Sequence, residues 1–171
     1  MVRLDPDLFD DEAPPLSLKA IAGKIQSCRR CPIGCSGTDA VAGEGPRDAP
    51  LMIVGEQPGD IEEQEGRPLV GPAGRLLRDH LEHAGIDPAQ AFLTNAVKHF
   101  KFMPRGKPRL HQTPTAGEID ICRWWLDGER GSIAPKLILT LGGSAARGIL
   151  GKAVSVQRLR GAAIALNRGE L

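Results

Sequence analysis

Leu51-Met52-Ile53-Val54-Gly55-Glu56-Gln57-Pro58-Gly59-Asp60 is the stretch on which the fold turns. Four consecutive apolar residues without alternation, cut off at once by Gly and Pro, fit a strand covered on both faces. Gly55, Pro58 and Gly59 then make a tight turn, which leaves Glu56, Gln57 and Asp60 as polar side chains beyond a buried strand end. Two later runs repeat the pattern, Ala91-Phe92-Leu93-Thr94-Asn95-Ala96-Val97 and Leu137-Ile138-Leu139-Thr140-Leu141, and residues 162–166 offer a last short strand. Helical spacing fills the intervals. Residues 16–27 predict a first helix, and residues 75–84 a second with Leu76, Leu77, Leu81 and Ala84 on one face and Gly85 placed to end it. Thr115-Ala116-Gly117-Glu118 matches a capping box ahead of a third helix bearing Cys122 and Trp125, and Gly142-Gly143-Ser144 leads into a small-residue helix reaching Leu150. Strands alternating with helices predict an α/β chain, a three-layer α/β/α sandwich around a central parallel sheet of four strands. Such sheets bind ligands at the loops leaving the carboxyl ends of their strands. Residues 55–59, 95–111 and 142–144 are three such loops and fall on one rim.

A chain of 171 residues suits one domain. Residues 1–15, rich in Asp and Pro, read as a flexible leader, and residues 16–171 as the domain. Hydrophobic residues make up 41% and charged residues 25%, and no apolar run approaches the roughly 20 residues of a membrane span, so no membrane partner is expected. The N-terminus lacks the basic-then-apolar order of a secretory signal, which gives a cytoplasmic expectation. Net charge is +1, so any nucleic-acid affinity must come from a local patch. Residues 98–109 supply one, with five cations and no acid; taken alone, that run is a solvated basic loop. His111 follows it. A histidine there can be base, ligand or nucleophile, or simply solvated. Aromatic residues are 4% of the chain and Tyr is absent, which counts against a stacking surface for extended single strands.

The four cysteines stand at 28, 31, 35 and 122. With no sign of export, metal ligation outranks disulfides. Cys28-Arg29-Arg30-Cys31 brings two thiols to one turn, with Cys122 and His99 as distant partners, a set that suits zinc or an iron–sulfur cluster. Cys35 can take the place of His99 or stay free. Gly71-Pro72-Ala73-Gly74 opens a helix without bulky side chains, so backbone N–H groups near Gly71 could meet a phosphate.

Each signal is weak alone, but their order is specific. Cys-x-x-Cys, strand-Gly-Glu-x-Pro-Gly, Gly-Pro-Ala-Gly-Arg-Leu-Leu, Thr-Asn-Ala-Val-Lys, Thr-Pro before a Cys-bearing helix, then Leu-Gly-Gly-Ser-Ala-Ala: along residues 25–150 this resembles the iron–sulfur uracil-DNA glycosylases. Gln57 and His99 stand where ordinary members have a small residue and a cluster cysteine, and Lys107-Pro108-Arg109-Leu110-His111 is similar to the Lys-Arg-Arg-Ile-His loop of the UdgX-type branch, which crosslinks itself to uracil-containing DNA.

The resemblance implies a structural [4Fe-4S] cluster on Cys28, Cys31, His99 and Cys122, with Cys35 spare. It implies a uracil pocket at Gly55, lined by Glu56, Gln57 and Asp60, with Asn95 reading the edge of the flipped base. It also implies His111 as the nucleophile that attacks the sugar, with Lys107 and Arg109 on flanking phosphates. The implied partner is uracil-containing DNA, single-stranded, met by a monomer. Three departures accompany the likeness. Leu69 occupies the place of the aromatic residue that stacks on uracil, Pro108 interrupts the basic loop, and the family's closing His-Pro-Ser/Ala motif is expected beyond Leu171.

Overall fold

The computed structural model describes residues 17–104 and 109–166. The expected leader at residues 1–15, and Lys107 and Pro108 of the basic loop, lie outside the described residues. Strands β1 (Leu51–Gly55), β2 (Ala91–Asn95) and β5 (Leu137–Thr140) form a parallel sheet in the order β2-β1-β5. Their register aligns Gly55 with Asn95 and Val54 with Thr140, so the carboxyl ends of all three strands share one rim. Helices α1 (Leu18–Ile25), α4 (Ala116–Ile133) and α5 (Gly143–Leu150) pack on one face against Met52, Val54 and Phe92. Helix α3 (Pro72–His83) covers the other through Leu81, against Ile53 and Leu93. Successive residues of β1 thus enter opposite cores, which is why its apolar run is unbroken. Among the described residues, no helix is long and apolar enough to cross a membrane.

The expected helices recur with shifted ends, the first at Leu18–Ile25 and not 16–27, the second at Pro72–His83 and not 75–84. Thr115 and Glu118 form the reciprocal capping box of α4. Gly85 and Gly151 adopt positive φ beyond α3 and α5, at 72° and 67°, where a side chain would be strained.

Two expectations need correction. Among the described residues the parallel sheet has three strands and not four, because residues 162–166 pair with no strand. Their sequence, Ala-Ala-Ile-Ala-Leu, has one β-branched residue, Ile164, and that residue is 47% exposed. Strand pairing draws its stability from side chains packed across the ladder, and alanines supply little. Within residues 95–111, read as a loop, a hairpin forms instead, with β3 (Phe102–Pro104) antiparallel to β4 (Arg109–His111). Strands of three residues are too short to show a period. A further helix that the periodicity did not reveal, α2 (Asp60–Glu65), follows the β1 turn and has one apolar residue, Ile61.

Candidate active site

The floor of the candidate site is built where β1 and β2 end side by side. Beyond the ladder, Ala96 N donates to Gly55 O at 2.9 Å and Val97 N to Glu56 O at 2.9 Å, so the two loops leave together. Asn95 is 1% exposed, yet neither its Oδ1 nor its Nδ2 has a hydrogen-bond partner among the described residues. Such a pair of orphaned atoms is destabilising unless a ligand satisfies it. Gly55 is required by this arrangement, since a methyl group there would collide with Asn95 Oδ1. Leu69 closes the same corner. It is buried and adopts a left-handed backbone, φ 55°, held by a hydrogen bond from Arg78 Nη1 to its carbonyl at 2.5 Å. Strain of this kind at a pocket wall persists only where the surroundings enforce it.

Above the floor, Glu56 joins two loops. Its Oε1 lies 3.3 Å from His111 Nε2, and its Oε2 accepts from Ser144 Oγ at 2.5 Å. A carboxylate that orients an imidazole while a hydroxyl orients the carboxylate is the arrangement by which a base or nucleophile is aimed. The His111 ring also lies beside Phe100, with centroids 6.3 Å apart.

The hairpin bearing His111 is held to the β1 loop by side chains. Gln57 Nε2 donates to Lys101 O at 3.1 Å and Gln112 O at 3.3 Å, and its Oε1 accepts from Lys101 N at 3.1 Å. Its amide is therefore engaged with the hairpin main chain. Arg109 bonds Asp60 Oδ1 at 2.5 Å and Glu63 Oε2 at 2.6 Å, and its guanidinium lies over the rings of Phe100 and Phe102, 5.3 and 5.1 Å from their centroids. Asp60 and Arg109, expected on base and phosphate respectively, are thus brought onto each other. Gly71 N donates to Glu62 Oε1 at 2.8 Å, so the N–H expected to meet a phosphate is held by a buried carboxylate that also receives Gly59 N at 3.1 Å.

Cys28, Cys31 and Cys122 are buried between the start of the domain and α4. Trp125 Nε1 donates to Cys28 Sγ and Lys98 N to Cys122 Sγ, both at 3.3 Å. Burial pushes the Cys31 thiol up and the Cys122 thiol up to about 12. His99 Nε2 is buried without a partner among the described residues, and burial, with help from the Arg29 cation, lowers that imidazole to about 4. Cys35 is half-buried and bonds Arg29 O. Among the described residues, no three His, Cys, Asp or Glu side chains converge as ligands of a single ion would. The donors still fit a multi-atom cluster in kind, with three sulfurs, N–H groups aimed at two of them and an orphaned imidazole nitrogen.

Ser144 and Glu63 were not singled out from the sequence. Ser144 had a usable signal, its position at the carboxyl end of β5 on the shared rim. Glu63 had none, because it depends on an unforeseen helix.

The model of the uracil DNA glycosylase superfamily matches residues 42–168. The chain is 39% identical over 137 residues to a Type-4 uracil-DNA glycosylase of Sulfurisphaera tokodaii, covering 80% of this chain and 59% of that protein. It is 34% identical over 145 residues to the Type-4 uracil-DNA glycosylase of Thermotoga maritima, covering 84% and 72%. A third of the same name, from Pyrobaculum aerophilum, is 34% identical over 135 residues, covering 79% and 65%. The matched part of the chain thus spans between 59% and 72% of the length of these curated relatives.

Proposed function

The chain belongs to the uracil-DNA glycosylase superfamily, and from that membership and the geometry of the rim we propose that it excises uracil from DNA and captures the resulting sugar on His111. The extruded base enters the corner between Gly55 and Leu69, where the orphaned acceptor and donor of Asn95 meet the donor and acceptor of the uracil edge. A base in a single strand needs no unpairing, which favours single-stranded substrate. When the glycosidic bond breaks, its electron pair leaves with the uracil nitrogen and the sugar becomes oxocarbenium-like. Glu56 accepts a hydrogen bond from the Nε2–H of a neutral His111, which leaves the lone pair of the other ring nitrogen for C1′. The proton that the alkylated imidazole then sheds passes, by way of Glu56, to the departing uracil anion. The one observation that carries this reading is the 3.3 Å contact between His111 and Glu56, next to a buried amide with nothing to bind. The Lys107 cation, with other basic groups of its loop, would hold flanking phosphate, and that encounter weakens with salt whereas a covalent adduct does not.

The test is incubation with a uracil-containing single-stranded oligonucleotide, measuring free uracil and any protein–DNA band that survives heating in detergent. Both are expected, and His111→Ala should lose the band. A second reading, ordinary hydrolysis with His111 and Glu56 holding water, is favoured by the name Type-4 uracil-DNA glycosylase that the relatives carry. Repeated turnovers with no surviving band would select it.

Cys28, Cys31, Cys122 and His99 would hold the [4Fe-4S] cluster, tying the Cys28–Cys31 turn to the β2 loop and α4. When bound, the cluster supplies cross-linking of these segments and no step of the excision. A brown protein containing iron and acid-labile sulfide is expected; a colourless zinc protein would overturn this assignment.

A further inference from the structure

Beneath Asn95 lies a charged network that the excision reaction does not use. Lys98 and Glu129 are buried with side-chain exposures of 0% and 1%, and their Nζ to Oε2 distance is 2.7 Å. All three ammonium protons have partners, since Nζ also donates to Thr94 Oγ1 at 2.7 Å and to Asn95 O at 2.8 Å. Glu129 is equally occupied, with Thr94 Oγ1 donating to Oε2 at 2.7 Å and Gly43 N to Oε1 at 2.8 Å. The network is closed, and one of its members is the main chain of the residue proposed to read the base.

Burying such a pair is not a route to stability. Well-packed apolar residues of similar size usually do as well or better, because desolvation offsets the attraction. What the pair does provide here is direction. Among the described residues the Asn95 side chain has no hydrogen-bond partner, so its aim depends on how firmly its backbone is held, and Lys98 grips that backbone at its carbonyl. We propose that Lys98 and Glu129 are positioning residues that fix Asn95 for the base. This rests on the reading of Asn95 as the base-reading group and extends it to residues that touch no substrate.

The test compares the parent chain with Lys98→Met/Glu129→Met, which removes both charges together and so leaves neither one buried alone. Melting, affinity for an undamaged single-stranded oligonucleotide, affinity for free uracil, and the single-turnover rate of uracil release are measured on both. The apolar variant is expected to melt with the parent and to bind undamaged DNA within about twofold, while release slows on the order of 10- to 100-fold, the scale set by a misplaced reacting or positioning group. Free-uracil affinity should fall about tenfold, as expected when one hydrogen bond to the base is broken. A purely structural role would move none of these ratios once melting is matched. If the double variant melts well below the parent, Lys98→Met/Glu129→Gln, which buries no charge and keeps one acceptor oxygen for Gly43 N and one donor for Thr94 Oγ1, is measured in its place and should show the same split. An apolar variant that melts with an active parent and releases uracil within about threefold of it overturns the role of Lys98 and Glu129 alone. A parent that neither binds nor releases uracil overturns the reading beneath it as well.

Discussion

The floor of the candidate site and the hairpin that carries His111 are built by opposite means. The floor is the end of a ladder, with Thr94 and Asn95 at 0% and 1% exposure, and its shape comes from main-chain hydrogen bonds and buried neighbours. In the hairpin, Met103 and Leu110 are 53% and 40% exposed, and the His111 side chain is 51% exposed. It is held in place because Gln57 reaches from the β1 turn to the hairpin main chain, while Arg109 and Lys101 reach across to α2 and α4. The group proposed to read the base therefore sits on rigid structure, and the proposed nucleophile sits on a polar clamp. Loop segments of this kind open at lower free energy than core strands. It follows that damage to the floor should abolish uracil release and crosslinking together, whereas damage to the clamp should separate them.

Gly55→Ala is expected to have the largest effect. The new methyl group meets Asn95 Oδ1 and crowds the Leu69 side chain. Overpacking costs about 1–3 kcal/mol of stability, but the displaced amide should lower single-turnover uracil release about 100-fold or more, since small misplacements have that scale. Release and adduct should fall in parallel. If the adduct fell alone, the floor would not be the recognition element and the comparison would break.

Gln57→Ala tests the clamp. It removes three hydrogen bonds between the β1 turn and the hairpin, each contributing about 0.5–1.5 kcal/mol. The hairpin then loses its fixed placement while Asn95 keeps its own. Adduct yield on a denaturing gel should drop about tenfold, with uracil release changing by about threefold or less. Equal losses would mean that the hairpin also shapes the base pocket.

How much of this was legible in the chain follows the same division. The floor could be read because Leu51–Gly55 and Ala91–Asn95 are apolar runs ended by turn residues, and a buried parallel strand writes its position into composition. Asn95 and Glu56 were placed on one rim by topology alone. The clamp could not be read. Gln57 looked like a pocket residue because nothing local says that its amide meets a main chain 44 residues away. Arg109 looked like a phosphate contact because its partners lie on α2, a six-residue helix without an apolar period. Among the described residues no fourth strand joins the sheet, because residues 162–166, apolar enough to look buried, carry too little side chain to pair.

Ser144→Ala sharpens the boundary between the two regions. Ser144 holds Glu56 from the β5 side, at the start of α5. Losing one hydrogen bond to a carboxylate corresponds to about 1.5–3 kcal/mol at most. Glu56 keeps its place on the β1 turn, so a roughly fivefold to tenfold fall in both release and adduct is expected, with melting unchanged within about a degree. Loss of the adduct alone would assign Ser144 to the clamp.

The smallest effect should come from the last tether, Lys101 with Glu118, and pH is its probe. Burial alone would raise the Glu118 carboxyl, but the hydrogen bonds from Lys101 and Thr115 outweigh it and hold the group below the usual carboxylate range. A carboxyl depressed in the folded state gives stability that is complete above its unfolded value near 4.3 and is lost as pH falls through the lower folded value. Glu118→Gln should therefore lower unfolding free energy by about 0.5–1 kcal/mol at pH 7, the scale of one helix cap, and the gap between variant and parent should close as pH drops below about 4. Urea titrations of both chains at neutral and acid pH measure this directly. A gap that persists unchanged into acid would show that Glu118 acts by shape and not by charge, and the hairpin would then hang on Gln57 and Arg109 alone.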